Sequence, residues 1–101
     1  MSKIKLTDSM LDIAIKMSEG NPGALTLIME IMKEGYEKIQ YILICDTLGL
    51  YGSRLYQLWN DCCQRDTNKV FKVLDKFQKG EINKEYLLNC IDQPYGLNIE
   101  I

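Results

Sequence analysis

A chain of 101 residues with 47% apolar and 26% charged residues has material for one hydrophobic core, too little length for two, and a composition that argues against disorder. Its net charge of −2 and isoelectric point near 5.1 argue against a binder of duplex nucleic acid, which carries a basic face. The opening MSKIKLTDS holds no apolar run long enough for a signal peptide or a membrane span, so the expectation is a cytoplasmic protein without a membrane partner.

The predicted elements follow in order. Thr7 or Asp8 caps a first helix that stops at Gly20, with Leu11, Ala14, Ile15 and Ser18 at helical spacing. Met10, Ile13 and Met17 widen its apolar stripe. Asn21 caps a second helix and Pro22 suits its first position, where no donor is lost. That helix runs to about Lys33 with Leu25, Ile28, Met29 and Met32 inward, ends at Gly35, and forms a hairpin with the first. Residues 36–48 fit a helix through Ile39, Ile42, Leu43 and Cys45 or Asp46, and also a short buried strand from Tyr41 to Cys45. Helix is preferred, because no partner strand is at hand to satisfy the backbone.

A fourth helix is expected from Ser53 to about Gln64, with Leu55, Leu58, Trp59 and Cys62 on one face. Asp66 caps a fifth whose inward set is Val70, Phe71, Leu74 and Phe77, closed by Gly80. Asn83 caps a sixth to about Ile91, and Ile82 can staple onto Leu87. Residues 1–6 read as an N-terminal extension and 93–101 as a C-terminal tail. The tail fits either an extended strand on a neighbouring subunit or a frayed end. The expected architecture is all-α, a compact single domain over 1–101 of five or six short helices.

Catalysis is hard to assemble from these residues. Without histidine there is no Ser-His or Cys-His pair. Asp46 and Asp61 form the best carboxylate pair, yet neither lies in a motif, and no phosphate-binding loop or metalloprotease signature is present. Cys45, Cys62, Cys63 and Cys90 lack metal-ligand spacing and read as reduced, buried thiols. The reading is a protein that is not an enzyme and holds no metal or cofactor.

Binding finds better material in Leu48–Cys63, a turn running into a helix. Helix starts expose backbone N–H groups, and small residues let an anion approach them. Asn21, Gly23, Gly52 and Ser53 are the expected amide or hydroxyl donors, Arg54 the charge, and Tyr51 and Tyr56 a stacking surface for a nucleotide-like anion. The same residues also serve as helix starts without any ligand, Leu58 and Trp59 as core, and Arg54 as a surface partner of Asp61. Five methionines and six tyrosines exceed what one small core easily buries. They favour a homo-oligomer with any ligand near a subunit contact, against a monomer whose tyrosine hydroxyls stay in water.

The runs Met17–Ala24, Leu48–Arg54 and Trp59–Cys63 give the chain a resemblance, from about Met10 to Ile91, to a family of small uncharacterised proteins of bacteriophages and of bacterial genomes carrying phage genes. The resemblance assigns no site residue. It implies the company of non-enzymatic phage anti-defence proteins, among them sponges that sequester cyclic nucleotide immune signals, acting in the bacterial host cytoplasm. The expected function is therefore capture of an anionic nucleotide-like ligand; the alternative is a protein–protein adaptor or inhibitor with no small ligand.

Overall fold

The computed structural model describes residues 7–93, so the expected N-terminal extension and the tail beyond Gln93 lie outside the described residues. In chain order the elements are α1 (Asp8–Ser18), α2 (Pro22–Lys33), a 3₁₀ turn (Tyr36–Lys38), α3 (Ile39–Thr47), α4 (Gly52–Gln57), a π-helical segment (Leu58–Cys62), α5 (Thr67–Gln78) and α6 (Lys84–Asp92). No strand occurs among the described residues, and the fold is all-α.

Four of these helices start where one polar side chain closes the first turn. Thr7 accepts from the Met10 amide at 3.2 Å, Asn21 from Ala24 at 3.0 Å and Asn83 from Tyr86 at 2.7 Å. Asp66 accepts from Asn68 at 3.0 Å and Lys69 at 3.4 Å. Each bond satisfies an amide that the helix leaves open, worth about 1 kcal/mol.

The chain divides into two compact units, one up to Tyr56 and the other from Gln57 onward. In the first, α2 packs against both α1 and α3. Its buried face is Ala24, Leu27, Ile28, Ile31 and Met32, the helical spacing that lets one stripe serve two neighbours. Leu25 and Met29, expected inward, are half-buried at the edge of that stripe. In α1 the buried residues are Ala14, Met17 and Ser18. The Ser18 hydroxyl donates to the Ile15 carbonyl at 2.8 Å, which satisfies it without a distant partner. Ile13 and Ile15, expected in the apolar stripe, are 45% and 62% exposed.

Of residues 36–48, all but the capping Leu48 are helical, as preferred, with a 3₁₀ turn leading into α3. Tyr41, Ile42, Ile44 and Cys45 face inward while Leu43 is 61% exposed. A helix apolar on nearly every side must leave some of that surface uncovered when it packs on one side only.

In the second unit, α5 and α6 both pack on the π segment. The single α-helix expected from Ser53 to about Gln64 is instead α4 followed by the wider π turn. The Arg65 amide donates to the Trp59 carbonyl, six residues back, at 2.7 Å, and Gln64 and Arg65 both adopt left-handed φ of 51° and 59°. Leu58, Trp59, Cys62 and Cys63 are buried in this segment. Val70, Phe71 and Leu74 of α5 are buried as expected, with Val73 beside them and Phe77 half-buried.

All four cysteines are free and buried. Burial pushes the Cys45 and Cys63 thiols up to about 12 and Cys62 to about 11, so these three stay protonated and unreactive near neutral pH. Among the described residues no helix is long and apolar enough to cross a membrane, and no group of ligating side chains is placed to hold a metal ion.

Candidate functional site

The residues singled out from the sequence do gather in one part of the first unit, although not as an open cradle. Gly23 lies beneath the Tyr56 ring, whose Cδ1 and Cε1 are 2.1 and 2.4 Å from where a Cβ on Gly23 would sit. The glycine exists here for the close approach of a tyrosine. Gly52 is buried with φ of 52°, and the Glu19 Oε1 lies 2.9 Å from its would-be Cβ. The α4 start, read as a phosphate seat, thus has the protein's own carboxylate beside it, which suits the positive end of a helix.

Two amides there have partners of their own, those of Ala24 and Arg54. Asn21 spends its side-chain oxygen on Ala24, and the Arg54 amide donates to the Tyr51 carbonyl at 3.1 Å. Ser53 and Arg54 are exposed on the first turn of α4. The expected donors are therefore adjacent, but the gap that small residues were to provide is filled by Tyr56 and Glu19.

Tyr51 belongs to a different feature. Its hydroxyl donates to the Asp46 carboxylate. That bond, followed by burial and the negative charges of Asp46 and Glu19, holds its pKa above the ordinary tyrosine value. Loss of the proton would set a phenolate against two carboxylates. The tyrosine is thus fixed as a neutral donor at the end of a groove between α1 and α3.

That groove has a volume of about 290 Å³. Ile13 and Met17 of α1 face Ile42 and Leu43 of α3 across it, and Lys16, Glu19, Asp46 and Tyr51 supply its polar groups. Ile13 and Leu43 stand on its banks, 45% and 61% exposed. The volume lies at the lower end of the roughly 300–1,000 Å³ of binding clefts, enough to take inserted side chains. Asp46 is engaged with Tyr51, and Asp61 accepts from the Asn60 amide at 2.7 Å; each carboxylate is tied to a local partner.

Sequence reasoning singles out Tyr51 and Asp46 and misses the groove that they border. Met17 and Ile42 are buried, as their helical spacing leads one to expect, whereas Ile13 and Leu43 are left open, because apolar residues at helical spacing carry no mark of which neighbour fails to cover them. The only available signal was the excess of apolar residues in α3, which no single buried face could absorb. Comparison with protein-family models, with curated proteins and with solved structures finds no match to this chain.

Proposed function

We propose that the chain is a non-catalytic protein-interaction module, an adaptor or inhibitor, that receives an amphipathic helix of a partner protein in the α1–α3 groove. The observation that carries this reading is the pair of exposed apolar banks, Ile13 and Leu43, over an apolar floor. Apolar side chains left open around a concave surface are the anchor sites of helix-in-groove recognition. A helix is the fitting guest, because two helices flank the groove and the described residues offer no strand edge for an extended peptide. The buried free thiols fit a reducing cytoplasm.

Capture of a nucleotide-like anion through Asn21, Gly23, Gly52, Ser53, Arg54, Tyr51 and Tyr56 is the competing reading. It has Ser53 and Arg54 exposed in its favour, and Glu19 against it, because a phosphate at α4 would meet that carboxylate. A homo-oligomer built through the groove is the self-binding form of the interaction reading.

The test pairs Leu43→Asp with two panels. Amphipathic helical peptides should shift the amide resonances of Ile13, Met17, Leu43 and Tyr51, and the variant should lose that response while keeping its melting temperature. Mono-, di- and cyclic nucleotides should leave the melting temperature unchanged, since only a ligand of the native state raises it. A nucleotide that stabilises the protein, and ceases to do so in Arg54→Ala, would overturn this reading. Sedimentation of the chain alone, with and without Leu43→Asp, tests the homo-oligomeric form.

A further inference from the structure

The polar groups of the groove are not spread evenly along it. On the α1 side Lys16 lies between Ile13 and Met17 and Glu19 follows the end of the helix, and along α3 Asp46 follows Ile42 and Leu43, so both carboxylates come after the apolar residues. Tyr51 gathers the far end, since its hydroxyl is bonded to Asp46 and it senses the charge of Glu19 as well. The groove is therefore an apolar trough that ends in two carboxylates beside a neutral tyrosine, with one ammonium, Lys16, on its rim. Two negative charges against one positive leave an unbalanced negative charge at that end.

We propose, resting on the interaction reading above, that the groove selects partner helices carrying a lysine or arginine one turn from an apolar anchor. The anchor lies between Ile13 and Leu43, and the cation reaches Asp46 and Glu19 beside Tyr51. The spacing follows from the helices themselves. Leu43 and Asp46, both in α3, are three residues apart, about 4.5 Å of rise. That is just under one helical pitch, so the guest's anchor and cation stand three or four positions apart, where side chains share a face. A long basic side chain also suits the trough, since its methylene stem packs on apolar surface while its head reaches the charge. Tyr51 acts as a positioning residue. Its proton holds one carboxylate oxygen of Asp46 and leaves the other for the guest.

The experiment uses the full chain and short alanine-based helical peptides, each with a central leucine and, one turn further on, lysine, glutamine or glutamate. The lysine peptide should bind roughly two- to fivefold more tightly than the glutamine peptide, the range for partly exposed ion pairs, and the glutamate peptide most weakly. Asp46→Asn keeps an acceptor for Tyr51 and should erase most of the lysine preference. Glu85→Gln, on exposed α6 surface, should leave it intact. Equal binding of lysine and glutamine peptides, both still lost in Leu43→Asp, would overturn the charge selection and spare the groove. Binding that survives Leu43→Asp, or no binding by any of these peptides, would overturn the groove reading and this proposal with it. A preference that Glu85→Gln weakens as much as Asp46→Asn would show general attraction to an acidic protein and overturn the assignment to Asp46 and Glu19.

Discussion

The glycine corner and the α1–α3 groove lie in the same unit and invert each other's appearance. At the corner, Gly23 and Gly52 present no side chains, yet the space above them is taken by the Tyr56 ring and the Glu19 carboxylate. In the groove, Ile13 and Leu43 are large and apolar, yet 45% and 61% exposed. Small residues marked where the chain packs most closely, and large ones marked where it is left open. Glycine records that something comes near the backbone and is silent on whether that thing is a ligand or a neighbouring side chain.

The most forceful way to break this comparison is Gly23→Ala. Two effects of opposite sign compete. Alanine gains about 1 kcal/mol of helix propensity over glycine, whereas a methyl 2.1 Å from the Tyr56 ring forces the ring aside, and such overpacking costs about 1–3 kcal/mol. We expect a net loss of up to about 2 kcal/mol in urea unfolding. In a Tyr56→Ala background the clash is gone, and the same substitution should stabilise. Were Gly23 present only to admit an anion, alanine would stabilise the unliganded protein in both backgrounds, and that result would return the corner to the ligand reading.

Gly52→Ala sharpens the second half of the corner by comparison with Gly49→Ala. Both glycines have left-handed φ, 52° and 73°, so each alanine carries a strain of about 1–2 kcal/mol. A Cβ at Gly49 meets nothing within 4 Å, whereas one at Gly52 meets Glu19 Oε1 at 2.9 Å and Glu19 Cβ at 3.1 Å. Gly52→Ala should therefore cost more than Gly49→Ala, and the difference in unfolding free energy measures how firmly Glu19 is held over the α4 start. Equal costs would mean that Glu19 swings away freely and leaves the amides reachable.

What was legible in the chain was whatever its residues settle locally. Thr7, Asn21, Asp66 and Asn83 each cap the helix they precede, because the hydrogen bond is made within a few residues of the capping side chain. Most of the buried face of α5 was legible as well, since Lys69, Lys72 and Lys76 fix its phase around Val70, Phe71 and Leu74; Val73 is buried without being expected and Phe77, expected inward, is half-buried. In α3 the run from Ile39 to Cys45 is apolar apart from Gln40, so periodicity could not distinguish Ile42, 3% exposed, from Leu43, 61% exposed. The π turn was hidden for a related reason. Leu58-Trp59-Asn60-Asp61-Cys62 suits an α-helix equally well, and the widening depends on the bond from Arg65 back to Trp59. Of the candidate site, the sequence located the neighbourhood through Tyr51 and mistook which of its surfaces is open.

The smallest expected effect tests the groove at its most exposed point. Leu43→Ser removes a large apolar side chain from the middle of α3, which in a core position would cost several kcal/mol. Here the side chain is already 61% exposed in the folded chain, so truncation gives up little burial, and serine adds only a few tenths of a kcal/mol in helix propensity. The expected change is within about 0.5 kcal/mol, the range of ordinary surface substitutions, and independent of protein concentration. A loss well above about 1 kcal/mol would mean that Leu43 is covered in solution. If that loss grows with protein concentration, the cover is a second copy of the chain, because only association makes apparent stability depend on concentration. If it does not, the groove is closed by the chain itself, and the contrast between a filled corner and an open groove fails at this residue.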